Sequence, residues 1–278
     1  MKNLRFAFVV ITIALISIAV TGIIRRWNLI PTVVAQSGGV LPPPQTVEYQ
    51  EFVWRTGTRP ALSYERTLAI RSDGSLYQYD RYHRTQRGSG EEIFSTPEIT
   101  HSQTLLSLKG GIRAEIAHEV KAMSVIKGAN VDRRRNAERW DPNSTCSVRF
   151  DGYRKAYSTP THEQWLGYDV VKLVEDDKSV LITVWRAPKL GCTELRRLAE
   201  FRGSDGGITD VSDLRAVSVL TGEPDSRLWQ IPNDFENVPF SEKVRRQVAA
   251  RGGKVDDRTL ALLAPADKAF HESRFDPR

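Results

Sequence analysis

Gly167-Tyr-Asp-Val-Val-Lys-Leu-Val174, Glu175-Asp-Asp-Lys-Ser179, Val180-Leu-Ile-Thr-Val-Trp185: two dense aliphatic runs flank a charged pentapeptide. Each run has strand length and is too short for a typical helix, and the polar linker between them reads as a hairpin turn. Val170, Val171, Leu173, Val174 and then Val180, Leu181, Ile182 and Val184 are close enough together for strands buried on both faces. The second strand is therefore expected to be central, with Trp185 standing where it leaves the core.

Working outward, the same alternation recurs. Leu62–Arg71 places Leu62, Tyr64, Leu68 and Ile70 on one face, and Ser72-Asp73-Gly74-Ser75 supplies an Asp-Gly turn. The return strand Leu76–Tyr82 sets Leu76, Gln78, Asp80 and Tyr82 against Tyr77 and Tyr79. Thr104–Leu108, a Gly110-Gly111 turn and Ile112–Ile116 form another hairpin. His118–Ile126 continues the sheet, in competition with helical propensity over Ala114–Met123, and Val131–Glu138 reads as a short helix. Thr193–Phe201 and Leu214–Leu220 flank a Gly-rich turn at Gly203–Gly207. The character then changes. Ser241–Ala250 opens as a Ser-capped helix, and Asp257–Leu263 reads as a second helix stopped near Pro265. At least eight strands and few helices predict a mainly β, α+β domain: an antiparallel open sheet or half-barrel with a few short helices.

The N-terminus sets the compartment. Lys2 and Arg5 precede 19 uncharged residues, Phe6–Ile24, which Arg25-Arg26 close. As a helix this run spans roughly 28 Å, near the thickness of a bilayer's hydrocarbon core. Two readings stay open. Arg25, Arg26 and Trp27 suit an uncleaved anchor with an interfacial Trp; Val33-Val34-Ala35 before Gln36 suits a cleaved signal peptide. Either way the rest of the chain is expected outside the cytoplasm, as an inner-membrane-anchored envelope protein or a periplasmic or secreted one. The chain divides into an anchor or signal (1–27), a linker rich in Pro, Gly and Ser (28–48), a β-rich exported domain (49–240) and a helical tail (241–278). The linker includes Pro42-Pro43-Pro44, which stiffen it into an extended spacer.

The formal charge of +6 and pI near 9.4 invite a nucleic-acid reading. Without Lys2, Arg5, Arg25 and Arg26 the balance is 36 basic against 34 acidic residues, so the excess is largely a topology signal and no nucleic-acid partner is implied. Arg133-Arg134-Arg135 and Arg139 lie among Asp132, Glu138 and Asp141, as on a self-compensated surface. The two cysteines, Cys146 and Cys192, stand 46 positions apart with no paired C-x-x-C or H-x-x-x-H, which makes a poor zinc signature. In an oxidising compartment such a lone pair bridges, closing a loop worth about 4 kcal/mol on the chain-entropy model.

Catalytic signatures fail one by one. His118-Glu119 and His162-Glu163 resemble the start of a metalloprotease helix, but Ala122 and Leu166 occupy the positions of the second His. There is no G-x-S-x-G elbow, and Gly252-Gly253-Lys254 lacks the rest of a phosphate loop. Asp176-Asp177 and Asp256-Asp257 fall in turns, and Asn143-Ser144-Thr145 is a chance acceptor match in a chain with a bacterial-looking signal and linker. No catalytic residue, metal ligand or cofactor is expected.

What stands out is aromatic and proline-marked: Trp185-Arg-Ala-Pro188-Lys-Leu-Gly191-Cys192, then Gly222-Glu-Pro-Asp225 and Leu228-Trp229-Gln-Ile-Pro232. Each reads either as core packing or as the mouth of an apolar cavity, with Trp185, Pro188 and Trp229 as candidate ligand-binding residues. Together with Gly167-Tyr-Asp-Val-Val171, these motifs resemble, over roughly Leu166–Glu242, a group of uncharacterised exported bacterial proteins that carry no assigned activity. More distantly, the strand ending in Trp185, its Pro turn and its returning strand are similar to the half-barrel lipoprotein carriers of the bacterial envelope. That resemblance implies an open antiparallel sheet over helices, with a concavity for acyl chains, and it carries over no binding residue.

Three functions follow as expectations. The first is a non-enzymatic envelope protein that binds a hydrophobic ligand or lipidated partner in an open β-sheet concavity, motivated by Trp54, Trp165, Trp185 and Trp229 at strand ends. The second is a membrane-tethered interaction module with a packed core and no ligand. The third is an enzyme whose His118, His162, Glu163 or Asp169 meet only in three dimensions.

Overall fold

The computed structural model describes residues 41–87, 93–128, 146 and 160–273. These residues build one open sheet of twelve strands from two consecutive meanders. The first runs β1 (Gln45–Arg55), β2 (Ala61–Ile70), β3 (Leu76–Arg87), β4 (Ile93–Leu108), β5 (Ile112–Ala117) and β6 (Ala122–Lys127). The second runs β7 (Thr161–Trp165), β8 (Tyr168–Asp176), β9 (Val180–Ala187), β10 (Thr193–Arg202) and β11 (Ile208–Thr221). Antiparallel pairing of β1 with β11 joins the two along their full length, from Gln45↔Thr221 to Arg55↔Asp210. A two-residue strand, β12 (Glu236–Asn237), then adds in parallel to β6.

Register fixes which residues share a face. Ala69, Tyr77, Leu106, Ala114 and Val125 form one cross-strand row from β2 to β6. Trp229 closes over it, with Leu228, Ile231 and Phe235 packed around the cluster. The adjacent row, on the opposite face, runs Val219, Val47, Leu68, Gln78, Leu105, Glu115 and Ser124. Two helices, α1 (Phe240–Ala250) and α2 (Asp257–Ser273), pack there against β6. The C-terminal segment thus covers one face with Trp229, pairs along the edge as β12, and covers the other face as helices. Its grip on the second face is polar. Ser124 Oγ donates to Val238 O at 2.7 Å, and Lys243 Nζ, 3% exposed, meets Glu115 Oε2 at 2.8 Å. Arg113 holds the other Glu115 oxygen at 2.9 Å.

The second meander has its own cores. Val171, Leu173 and Val184 pack against Cys146, which is bonded to Cys192 as the sequence implies. Trp185, Val170, Ala187, Leu190 and Leu195 join Val47, Tyr49 and Ala216 at the junction of the meanders.

Several expectations change. The linker does not reach residue 48: β1 starts at Gln45, whose buried side-chain amide donates to Leu190 O (3.0 Å) and Thr193 Oγ1 (2.9 Å). Residues 118–121 form a turn instead of strand, because Lys121 takes a left-handed conformation (φ 46°) and its N–H closes back on His118 O. Over Ala114–Met123 tertiary pairing overrides helical propensity. β9 is third from one edge of the sheet, and its first residues, Val180–Ile182, are only half-buried near the rim. Ser241 is not the cap of α1. Pro239 precedes the first turn, and Ser241 N–H donates to Asp267 Oδ1 at 3.0 Å, tying α1 to α2. Pro265 does not stop α2, which runs to Ser273. Pro265 and Ala261 are both exposed, so water can satisfy the Ala261 carbonyl that the proline leaves without its helical donor. The predicted helix Val131–Glu138 and residues 1–27 lie outside the described residues. Among the described residues no helix is long and apolar enough to cross a membrane.

The buried Lys243–Glu115 pair gives a test of how the helices are held. Glu115→Ala removes the carboxylate that meets the buried Lys243 ammonium and should cost about 3–5 kcal/mol in urea unfolding. Glu115→Leu with Lys243→Met should recover most of that loss, which a non-additive double-mutant cycle will show.

Candidate functional site

Trp185 sits in a cross-strand row of Lys172, Trp185, Arg196 and Arg215. Its Nε1–H donates to Glu163 Oε2 at 2.7 Å, and Lys172 Nζ reaches the other oxygen of that carboxylate at 3.0 Å. The Trp185 N–H and the Lys172 ammonium hold the Glu163 carboxyl below its ordinary range. The Arg196 guanidinium lies 4.7 Å from the Trp185 ring centre and 5.0 Å from that of Trp165. Asp213 fixes it with two hydrogen bonds of 2.8 and 3.0 Å. Trp165 bends from the β7–β8 turn over the sheet, where its Nε1–H donates to Ala216 O at 3.3 Å. Trp185 is 5% exposed, a packed residue with a satisfied indole. Pro188 opens the 3-10 turn Pro188–Leu190 beside it and is half-buried.

Trp229 is elsewhere. It belongs to the cluster over β2–β6, edge-on to Tyr77 at 6.2 Å, with Arg71 stacked 5.4 Å above its ring. Its Nε1 is buried with no hydrogen-bond partner among the described residues. Beside it lies an open recess of about 640 Å³, lined by Arg227, Gln230, Ile231, Pro232 and Asn233. This recess is largely polar, and neither tryptophan lines it. The structure therefore puts Trp185 and Pro188 together and Trp229 in a separate core.

The histidines and carboxylates considered for catalysis are also dispersed. His118 Nε2 is 2.8 Å from Thr104 Oγ1 and packs edge-on to Tyr79 and Phe235. His162 and Glu163 are consecutive on β7 and so point to opposite faces, and Asp169 bonds Gln164. Among the described residues no three His, Cys, Asp or Glu side chains converge as metal ligands.

The densest polar assembly is one that no short motif announces. On the face that carries Glu115, Arg66, Asp80 and Gln103 form one row, and Tyr64, Tyr82 and His101 form the next. Asp80, 2% exposed, accepts from Tyr64 Oη at 2.6 Å, Arg66 Nε at 2.9 Å and Gln78 Nε2 at 2.8 Å. Burial alone would raise its pKa, but the Arg66 charge and these donors outweigh burial and hold the carboxyl below its ordinary range. Burial pushes the Tyr64 phenol well up. His101 stacks on Tyr82 at 4.0 Å. Burial, reinforced by Arg251 and opposed by Asp80, pushes its imidazole down to about 3. The assembly is a satisfied network in which Asp80 and Tyr64 are buried and the stacked Tyr82 and His101 rings are half-buried.

No protein-family model matches the sequence, and no curated protein sequence matches it. Distant likeness appears among solved structures. MucB in its complex with MucA(peri) is 13% identical, at a TM-score of 0.28, over 72% of this chain and 58% of that one. PNGF-II is 15% identical, at a TM-score of 0.35, over 74% of this chain and 33% of that one. A putative outer membrane lipoprotein-sorting protein domain from Vibrio parahaemolyticus is 10% identical, at a TM-score of 0.24, over 67% and 89%. The chain thus spans less than two thirds of the length of the first two. Likenesses this distant assign no function.

Two measurements separate packing from binding here. Trp185→Ala and Trp229→Ala should each cost about 3–5 kcal/mol, the range for a buried large aromatic. A fold of normal stability in either variant would move that residue from core to surface. The folded protein keeps His101 neutral down to about pH 3, whereas the unfolded chain protonates it near its ordinary value of 6.5. The unfolded state therefore binds the extra proton between those values, and stability falls as pH is lowered through that window. Urea midpoints at pH 7 and pH 4 should differ less in His101→Gln than in the wild-type chain.

Proposed function

We propose that this is a non-enzymatic, extracytoplasmic binding protein of the cell envelope that holds a hydrophobic ligand or a lipidated partner against its open sheet. One observation carries the reading. In the row Val219–Val47–Leu68–Gln78–Leu105–Glu115–Ser124, the polar end is covered by Lys243 of α1 and by Val238 just ahead of that helix. The packing of both helices is concentrated on β6, far along the row from its apolar end on β11, β1 and β2. There Val219 and Leu68 remain half-buried, flanking the core that fully buried Val47 shares with Trp185 and Leu190. These half-buried apolar flanks on an unclosed sheet, next to the Asp80 network, suit a molecule with an apolar body and a polar end. The Cys146–Cys192 bridge and the apolar run Phe6–Ile24 support the location.

A second reading is favoured by the burial of Trp185 and Trp229, 5% and 8% exposed. On that reading the core is closed and the chain is a tethered interaction module.

Native mass spectrometry of detergent-free protein from its host decides between them. Carriage requires a bound apolar mass that organic extraction identifies as lipid, and its loss in Leu68→Asp/Val219→Asp. Protein that arrives bare and binds no fluorescent fatty acid would overturn the carrier reading.

A further inference from the structure

We propose that His101 is the hydrogen-bond acceptor for the head of the bound lipid, and that this head is an uncharged hydroxyl. The proposal deepens the carrier reading and rests on it.

A bulge aims the imidazole. In the β3–β4 ladder Tyr82 pairs with His101 and His83 with Ile99, so Thr100 has no residue opposite it. Bulges of this kind re-aim side chains, and here Thr100 Oγ1 comes within 3.1 Å of His101 Nδ1. The Tyr82 ring, stacked at 4.0 Å with 8° between the planes, fixes the imidazole from its face.

The same hydroxyl decides the tautomer. A hydroxyl has one proton to give, and Thr100 Oγ1 donates it to Tyr82 O at 3.2 Å. Toward Nδ1 it can then only accept, so Nδ1 carries the imidazole proton and Nε2 the lone pair. Nε2 has no hydrogen-bond partner among the described residues, and it is not an enclosed atom. Burial of the ring, reinforced by Arg251, keeps it neutral at physiological pH, so the lone pair persists.

The charges around this acceptor are already compensated. Arg251 and Asp80 are the ones that act on His101. Arg251 reaches Glu119 Oε1 at 3.4 Å, and Asp80 takes Arg66 at 2.9 Å. A carboxylate head would set acceptor against acceptor. An ammonium head would donate, but near two guanidinium groups whose carboxylates are taken. An uncharged hydroxyl donates to Nε2 and adds no charge.

The spacing suits a long chain. Leu68 pairs with Gln78 and Gln78 with Leu105, and His101 precedes Leu105 by four residues on β4 and shares its face. Four strand residues span about 13 Å and two strand spacings about 10 Å, which puts the acceptor roughly 16 Å from Leu68. An extended acyl or alkyl chain covers that separation.

Oleyl alcohol, oleate and oleylamine share one chain and differ only in the head. Full-length, detergent-free protein is offered all three in equal amounts, and native mass spectrometry reads the bound ratio. The alcohol should exceed each of the others roughly tenfold, the scale of one hydrogen bond made instead of opposed. His101→Phe keeps a ring against Tyr82 and removes the acceptor, so the three should then bind evenly while total bound lipid persists. Thr100→Val releases the tautomer and should weaken the preference. If neither variant folds, the wild-type ratio decides. An even ratio in the wild-type chain, or a preference for oleate or oleylamine, overturns the hydroxyl assignment and leaves carriage standing. A preference for the alcohol that survives His101→Phe removes His101 from the site, and protein that binds none of the three overturns carriage and head together.

Discussion

Every other feature of this sheet depends on one long-range pairing. β2 to β6 follow β1 as neighbours in sequence and in space, and β8 to β11 follow β7 in the same way. Such hairpins close short loops at little entropic cost. The pairing of β1 with β11 brings together residues more than 150 positions apart, and it alone sews the meanders into one sheet. A bulge interrupts this ladder between Glu48 and Tyr49, and bulges locally increase strand twist. Val47, Tyr49 and Ala216, beside that bulge, belong to the core that Trp185 and Leu190 complete, so the seam is buttressed by side chains from both meanders.

The seam also settles where the edges fall. Because β1 and β11 are interior, the two meanders end, among the described residues, in β7 on one side and β6 on the other. Edge strands present unpaired backbone groups that recruit other chains. At β6 the chain pairs its own β12, adds the Asn237 Oδ1 acceptor to Val125 N–H at 3.1 Å, and locks both faces with Trp229 and the helices. At β7 the strand is short and its outward sequence, Thr161-His-Glu-Gln, is exposed and polar. The helices that cover β6 dock through Lys243, Gln247 and Ser241, which explains why α1 reads as a polar helix although one side of it is buried.

What the sequence disclosed follows from this division. Local hairpins were legible: Asp73-Gly74 closes β2 and β3 as read, with Ile70 opposite Leu76, and the charged pentapeptide after Val174 closes β8 and β9. The disulfide was legible from compartment and number. The seam strand was not. Its inward positions are Gln45, Val47, Tyr49 and Glu51, and two buried polar residues hide the period of two. Glu51 is satisfied by Ser212 and Ser63, partners far from it in sequence. The Asp80 network was hidden for the same reason. Asp80 and Tyr82 were placed on one face, but their partners Arg66, His101 and Gln103 come from other strands and form no motif. Trp185 and Trp229 were visible as landmarks, yet only three-dimensional burial separates an aromatic anchor of a core from the wall of a cavity.

The same strand that joins the halves is the first strand of the described residues, directly after Pro42-Pro43-Pro44. β1 is held on both sides, by ladders to β2 and to β11. Ahead of that ladder stand the Pro42 seat on Gly191 and the Pro44 carbonyl that accepts Gly222 N–H at 2.9 Å. Both neighbours of this junction belong to β1's own surroundings, since Gly222 follows β11 and Gly191 precedes β10. The start of β1 is therefore also where the two meanders meet, and Val219, Val47 and Leu68 lie on the part of the sheet that both meanders build.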